Sequence, residues 1–526
     1  MKSPVRLPDR RFRLFFSRVL RTLFSCVVLL CVAPRSAARE ARLVLLHTAD
    51  VEGHLRALRR REVREHSGGL LKAAAVIDDI RREGPPTLLV DLGGLLSGSL
   101  EAELTGGTLP ARAAAWLQYD IRLPDPLELR SERTALRGSL LGPVLLSNAE
   151  ALPNQLQLSG TVVTHHLAEI DGIRVGFLGL YEVPLPAASG IRLAEKEAAE
   201  RLMTARLQEL RAGSPHFLVL LLRSGPEPGR VRERARHLAG RFPEFDLILG
   251  GGDGEAVRSA AWGRTLFSQA GRHARWVGRV DLGYDTVRRE RTVARADLVE
   301  VGMDQEEQRE LNRLLGRDLA GIALDSERII GANVRVLEGT SRWPGQSGVQ
   351  RLISEAIAGE LEADVVLMEK QARAALGAGP IRVRDVFRLL PRASRLATVE
   401  LNPAELRDIL EENAALLGTD SFLGIFGMTY RHLPGNPVGS TIDDLQLPDG
   451  ARPHGRRRLR VALHAHILEE DEEVRAVLRD VSARPTSRLT LHPLDSRRLL
   501  LDYIERVEEI DLRPQPGLLQ ARPGQR

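Results

Sequence analysis

Short apolar runs recur along the first half of the chain, each closing on Gly, Asp, Asn or Ser. They are ARLVLLHTAD (41–50), TLLVDLGG (87–94), PVLLSN (143–148), IRVGFLGL (173–180), HFLVLLLRSG (216–225) and FDLILGGG (245–252). Runs this short with little polar alternation predict strands buried on both faces, as in a sheet covered by other layers. Between them, GGLLKAAAVIDDIRRE (68–83) places apolar residues at helical spacing and stops before Gly84-Pro85-Pro86. Strands whose polar ends gather on loops predict a layered α/β domain with its chemistry at the strand ends.

The pattern changes after residue 300. MDQEEQRELNRLLGRDLAG (303–321) is a charged amphipathic helix, and strands and helices resume near Ile330 with GQSGVQRLISEAIAGELEADVVLM (345–368), IRVRDVFRLLP (381–391), TVELNPAELRDILEENAALL (398–417) and SRRLLLDYIERV (496–507). The reading is a first α/β domain over 39–300, a helical linker over 301–329, a smaller α/β domain over 330–518, and a polar tail over 519–526.

The ends of the chain alter the charge picture. Residues 1–22 hold seven basic residues and one acid, followed by LFSCVVLLCVA (23–33) and the small residues Ser36, Ala37 and Ala38. A basic stretch, a short apolar core and small residues predict a signal peptide cleaved after Ala38, hence an exported protein, periplasmic or secreted. The apolar run is shorter than the roughly 20 residues a bilayer span requires, so no stable membrane anchor is expected after cleavage. Removing 1–38 takes away eight basic residues and one acid, and moves the formal net charge from +5 to −2. Nothing in that balance points to a polyanionic partner, and no nucleic-acid partner is expected. Both cysteines, Cys26 and Cys31, leave with the leader, which excludes a disulfide framework or thiolate metal site in the mature chain. Only four of the 75 basic residues are Lys, so a single Arg says little by itself.

Taken in order, HTADVEGHL (47–55), TLLVDLGGLLSGS (87–99), PVLLSNAE (143–150), RVGFLGLYEVP (174–184), FDLILGGGD (245–253) and SQAGRHARWVGRVDLGYD (268–285) resemble the secreted 5'-nucleotidase family of metallophosphoesterases. GQSGVQRLISEAIAGELEADVVL, IRVRDVFRLLPRASRLATVELNPAELRDILE (381–411) and FLGIFGMTYR (422–431) resemble that family's C-terminal domain. The resemblance implies a metallophosphoesterase-like sandwich followed by a substrate-binding α/β domain. It also implies a hydrolase in which two divalent ions polarise a phosphoryl group and activate water.

The ligands that the resemblance implies are mostly missing. Asp50 is kept, but the His two residues on is Glu52, which leaves these two as a vestigial metal pair. The bridging Asp after the second strand is Gly94, with Asp91 three residues earlier and inside the strand. Gly-Asn-His-Glu reads Asp125, Pro126, Leu127 and Glu128; His-x-Gly reads Arg223-Ser224-Gly225; and Gly-Gly-His-x-His reads Gly250-Gly251-Gly252-Asp253-Gly254. A cation at 223 repels a divalent ion, yet could pair with Asp50 and Glu52 and replace the lost positive charge. The alternative is one more surface arginine of an Arg-rich chain.

The substrate domain departs from the family as well. After Ala363-Asp364-Val365 the glycine stretch is replaced by Glu369, Lys370 and Gln371, with Arg373 the nearest Arg, and the later glycine loop reads EEDEEV (469–474). Arg373, Phe422 and Phe426 are the candidate substrate-binding residues; the two aromatics either offer a stacking face or are core. His464 and His466 alternate in ALHAHIL, so a strand would set both on one face, with no third metal ligand evident.

No catalytic residue is assigned and no cofactor expected. The leading expectation is an exported, catalytically impaired relative of the 5'-nucleotidases that binds a small molecule or an envelope protein. A second is an active phosphohydrolase with a site rebuilt from Asp50, Glu52, Asp125, Asp253 and Glu255, which would favour Mn, Mg or Ca over Zn. A third is a structural envelope component.

Overall fold

The strand Phe217–Arg223 shows how a continuous apolar run builds a layered domain. Its odd positions Phe217, Val219 and Leu221 enter one buried cluster, while Leu218, Leu220 and Leu222 enter another with Met203, Leu207, Val231, Ala235 and Leu238 of the helices Lys196–Ala212 and Arg230–Arg241. Side chains alternate across a strand, so a strand between a second sheet and a helical layer must be apolar on both faces.

The computed structural model describes residues 40–57, 67–124, 142–151, 162–183, 191–194, 196–225, 227–340, 346–369, 374–390, 394–419, 421–437, 439–455, 457–468, 475–512 and 518–520. The leader, Asp125 to Glu128, Arg373 and the 469–474 loop lie outside them. Among the described residues, no helix is long and apolar enough to cross a membrane.

Two compact units form, and they do not follow the chain strictly. The first holds most of the chain up to Gln308; the second holds Arg309 onward together with Glu52–Leu55 and Leu96–Ala113. The charged helix Arg309–Glu327, read above as a linker, therefore belongs to the second unit.

In the first unit, a seven-stranded sheet runs in the order Glu290–Glu300, Trp276–Asp285, Glu40–Thr48, Thr87–Asp91, Ile121–Arg122, Val144–Leu145, Val162–Val163. A six-stranded sheet runs Ala256–Trp262, Thr265–Ala270, Leu247–Gly251, Phe217–Arg223, Ile173–Tyr181, His166–Ile170. Leu43, Leu45, Leu88, Val90 and Ile121 of the first sheet share one core with Val175, Phe177, Val219, Leu221 and Leu249 of the second. Each such fully buried aliphatic side chain contributes about 1.5–3 kcal/mol. Glu40–Thr48 is parallel to Thr87–Asp91, and Phe217–Arg223 is parallel to Leu247–Gly251. All four carboxyl-terminal ends feed one group of loops.

The second unit is built on a five-stranded sheet in the order Gly424–Phe426, Val365–Met368, Leu459–His464, Arg395–Leu401, Thr490–Asp495. Helices Gly348–Leu361 and Ser496–Val507 pack on one face through Val349, Leu352, Ile353, Leu500 and Ile504. Helices Pro403–Ala415 and Ala476–Ala483 cover the other through Leu406, Ile409, Leu410, Leu478 and Val481. Asn402 and Ser347 each close a capping box at a helix start, supplying acceptors for amides that lack a partner in the first turn.

Candidate functional site

Continuing the alternation of Phe217, Val219 and Leu221 puts Arg223 on the face between the two sheets. Its Nη1 donates to Asp50 Oδ1 at 2.9 Å and to the Leu92 carbonyl at 2.9 Å. The Arg223 side chain is 11% exposed and that of Asp50 4%. Asp50 sits two residues beyond its strand with a left-handed backbone, φ 48, a conformation that costs an L-residue energy and persists only when its surroundings hold it. Asp50 N donates to Gly93 O at 3.1 Å, Asp50 O accepts from His273 N at 2.8 Å, and Asp50 Oδ2 accepts from Gly252 N at 2.8 Å.

Gly94 forms the floor of this arrangement. With φ +75, it approaches so closely that a Cβ there would stand 3.0 Å from Arg223 Nη2 and 3.3 Å from Asp50 Oδ1. The guanidinium therefore occupies the space into which a side chain at residue 94 would project.

A second layer lies behind it. Asp91, 1% exposed, accepts from Thr48 Oγ1 at 2.9 Å and from Gly93 N at 2.9 Å, and Thr48 Oγ1 is also 2.9 Å from the Tyr119 hydroxyl. Burial pushes the Asp91 pKa up to about 7, against the opposing pull of Thr48, Gly93, Arg223 and Arg122. Arg122 is 1% exposed and donates from Nε to Gly142 O at 3.0 Å. Two buried guanidinium groups thus face two buried carboxyls. Sequence reasoning passed over Arg122; its signal was an Arg between the apolar Ile121 and Leu123, in a two-residue strand, Ile121–Arg122.

The remaining carboxylates are used elsewhere. Asp253 accepts from the Gln269 side chain, from Glu255 N at 3.1 Å and from Val231 N at 3.3 Å, the last within the first turn of the helix Arg230–Arg241. Glu255 pairs with Arg232 at 3.1 Å. Glu52 has φ 52 and belongs to the second unit, where it leaves Gly98 no room for a side chain; a Cβ on Gly98 would lie 3.0 Å from Glu52 Cβ. Asp125 and Arg373 fall outside the described residues. Phe422 is buried at 4% exposure, and Phe426 packs against the second unit's core with Val366 and Met368.

The comparisons with known proteins agree with this architecture. Residues 328–479 match the family model of the 5'-nucleotidase C-terminal domain. A 5'-nucleotidase precursor from Thermus thermophilus superposes with a TM-score of 0.64 at 17% identity, covering 91% of this chain and 99% of that one. A structure described as a 5'-nucleotidase from Staphylococcus aureus gives 0.69 at 16% identity, again covering 91% and 99%. The chain has a 5'-nucleotidase fold.

Among curated proteins, the endonuclease YhcR of Bacillus subtilis is 23% identical over 296 residues, 54% of this chain. The chain spans 24% of the length of that relative. In the 5'-nucleotidase frame, the group at the strand ends stands where the family resemblance places a metal pair. The donors do not fit one. Position 94 has no side chain, and a guanidinium bonded to Asp50 brings a fixed positive charge where each ion would need a ligand.

Proposed function

We propose that this protein is an exported 5'-nucleotidase-like binding protein whose two-metal centre has been replaced by the Arg223–Asp50 pair. The observation that carries the reading is the guanidinium of Arg223 lying over Gly94 and against Asp50. A two-metal hydrolase needs donors on both ions and a coordinated water held in line with the phosphoryl group. Here Asp50 spends both carboxylate oxygens on Arg223 and Gly252. Nor do Asp253 and Glu255 supply a rebuilt set, since both are committed to the start of the helix Arg230–Arg241, Asp253 to Val231 N and Glu255 to Arg232.

The pattern of residues 1–38 supports export. A retained two-domain fold without the metal pair supports a role in which a small molecule or an envelope protein is held and not turned over.

The test is turnover of AMP and of a chromogenic phosphodiester by the purified protein with Mn, Mg, Ca and Zn in turn. The expected result is no metal-dependent hydrolysis above the rate of buffer and metal alone. Turnover that disappears in Asp50→Ala would overturn the reading in favour of a rebuilt hydrolase.

A further inference from the structure

The second unit brings together three side chains that the sequence separates by almost a hundred residues. The strand Val365–Met368 leads directly into Glu369, and its parallel neighbour Leu459–His464 ends on His464, with Leu367 opposite Leu463 in register. The chain then turns through a 3-10 helix, Ala465–Leu468, which brings His466 back over the strand end. The strand expected to carry both histidines on one face therefore stops at His464, and Glu369 stands beside them as a third donor side chain.

Glu369 Oε1 lies 3.1 Å from His464 Nδ1 and 2.9 Å from His466 Nε2. The side chains of His464, Glu369 and His466 are 0%, 11% and 38% exposed. Their ligand atoms lie within 4.8 Å of one another.

The surroundings orient the donors. Ser394 Oγ is 2.7 Å from His466 Nδ1, which turns the ring so that Nε2 faces Glu369. Gln350, part of the capping box of the helix Gly348–Leu361, donates to the Glu369 carbonyl at 3.2 Å. Among the described residues, His464 Nε2 is buried with no hydrogen-bond partner, which leaves Nδ1 as the nitrogen that reaches a charged group.

We propose that Glu369, His464 and His466 bind one divalent ion of the zinc class. Two imidazole nitrogens and one carboxylate oxygen are the donor set that zinc-like ions select over Mg or Ca. Donors on a tetrahedral ion with bonds near 2.05 Å stand about 3.3 Å apart, close to the separations found here. A hydrogen-bonded nitrogen on the far side of His466 is the usual support of a metal-binding imidazole. The group also sits beyond the carboxyl ends of two parallel strands, where α/β sheets place ligands. With three protein donors and His466 at the surface, a fourth position is left for water or an exchangeable anion. Nothing in this site depends on Asp50, Arg223 or hydrolysis.

The experiment is calorimetric titration of untagged, chelator-stripped protein with zinc chloride, paired with the visible spectrum of the cobalt(II) form. The expected result is one ion per chain, with tetrahedral cobalt bands. His466→Ala should weaken binding about tenfold or more and remove the bands, while His237→Ala, in the first unit, should change neither. His466 is partly exposed, so its variant is expected to fold; equal thermal unfolding of the metal-free proteins checks this. If the alanine variant unfolds early, His466→Gln carries the same test. Absence of zinc binding, or binding unchanged in the His466 variant, overturns the proposal and leaves a histidine–carboxylate ion pair.

Discussion

Arg223 Nη1 and Asp50 Oδ1 are 2.9 Å apart in a setting where neither side chain is more than 11% exposed. A buried pair of this kind contributes little net stability over an apolar replacement, but removing one partner strands a charge away from water. The pair is bound into its surroundings on both sides, by Leu92 O beneath the guanidinium and Gly252 N beneath the carboxylate.

Arg223→Ala is therefore expected to destabilise the protein by about 3 kcal/mol, through the unpaired Asp50. Arg223→Lys should recover only part of the loss, because a single ammonium lacks the planar fork that serves Asp50 and Leu92 O together. Urea unfolding of the three proteins measures both effects. Equal stability of Arg223→Ala and the parent would show that the pair is not desolvated.

Restoring the acid that the family resemblance puts at position 94 should fail while Arg223 is present. In Gly94→Asp, a Cβ forms at φ +75 and 3.0 Å from Arg223 Nη2, so both backbone strain and crowding oppose it. Arg223→His clears that space. The double variant Gly94→Asp/Arg223→His should be more stable than the sum of the single effects by about 1 kcal/mol or more, a coupling that a double-mutant cycle reads directly. Strict additivity would mean that the two positions do not share space.

Two buried groups in the same sheet give opposite pH dependences. Asp91, raised to about 7 by burial, keeps its proton in the folded protein while the unfolded chain has lost it, so its contribution to stability falls as pH rises from about 4 to 7. His47, lowered to about 3 by burial, stays neutral in the folded protein while the unfolded chain takes up a proton below about pH 6.5, so its contribution is lost as pH falls below that value. Each slope is at most about 1.4 kcal/mol per pH unit, and they oppose one another between pH 4 and 6.5. Asp91→Asn should leave stability rising with pH across that window, and His47→Gln should leave it falling. Thermal unfolding from pH 4 to 8 checks both; parallel profiles in all three proteins would contradict the assignment.

Much of the first domain could be read from one regularity. Runs such as FLVLLLR and LILGG must be buried on both faces, with their polar ends on loops, and it was the family resemblance that singled out Asp50, Gly94 and Arg223 among those loop positions. What the runs could not give was the register between distant strands. Arg122 went unremarked in the sequence, and only the pairing of its strand with Thr87–Asp91 sets it beside Asp91. Glu369 and His464 meet for the same reason, through the parallel pairing of Val365–Met368 with Leu459–His464. His466 was misplaced because the chain leaves the strand after His464 for a 3-10 turn that no spacing in ALHAHIL announces. Glu52 was grouped with Asp50 because the family resemblance puts a metal-binding His there, yet the two fall in different compact units.

A guanidinium stands where the 5'-nucleotidase resemblance would hold a metal pair. Anomalous diffraction from crystals soaked in manganese tests it most directly. The expected result is no anomalous peak within about 4 Å of Asp50, a distance well beyond a metal–oxygen bond, and continuous density for Arg223 against its carboxylate. A manganese peak bonded to Asp50, with Arg223 swung away, would contradict it.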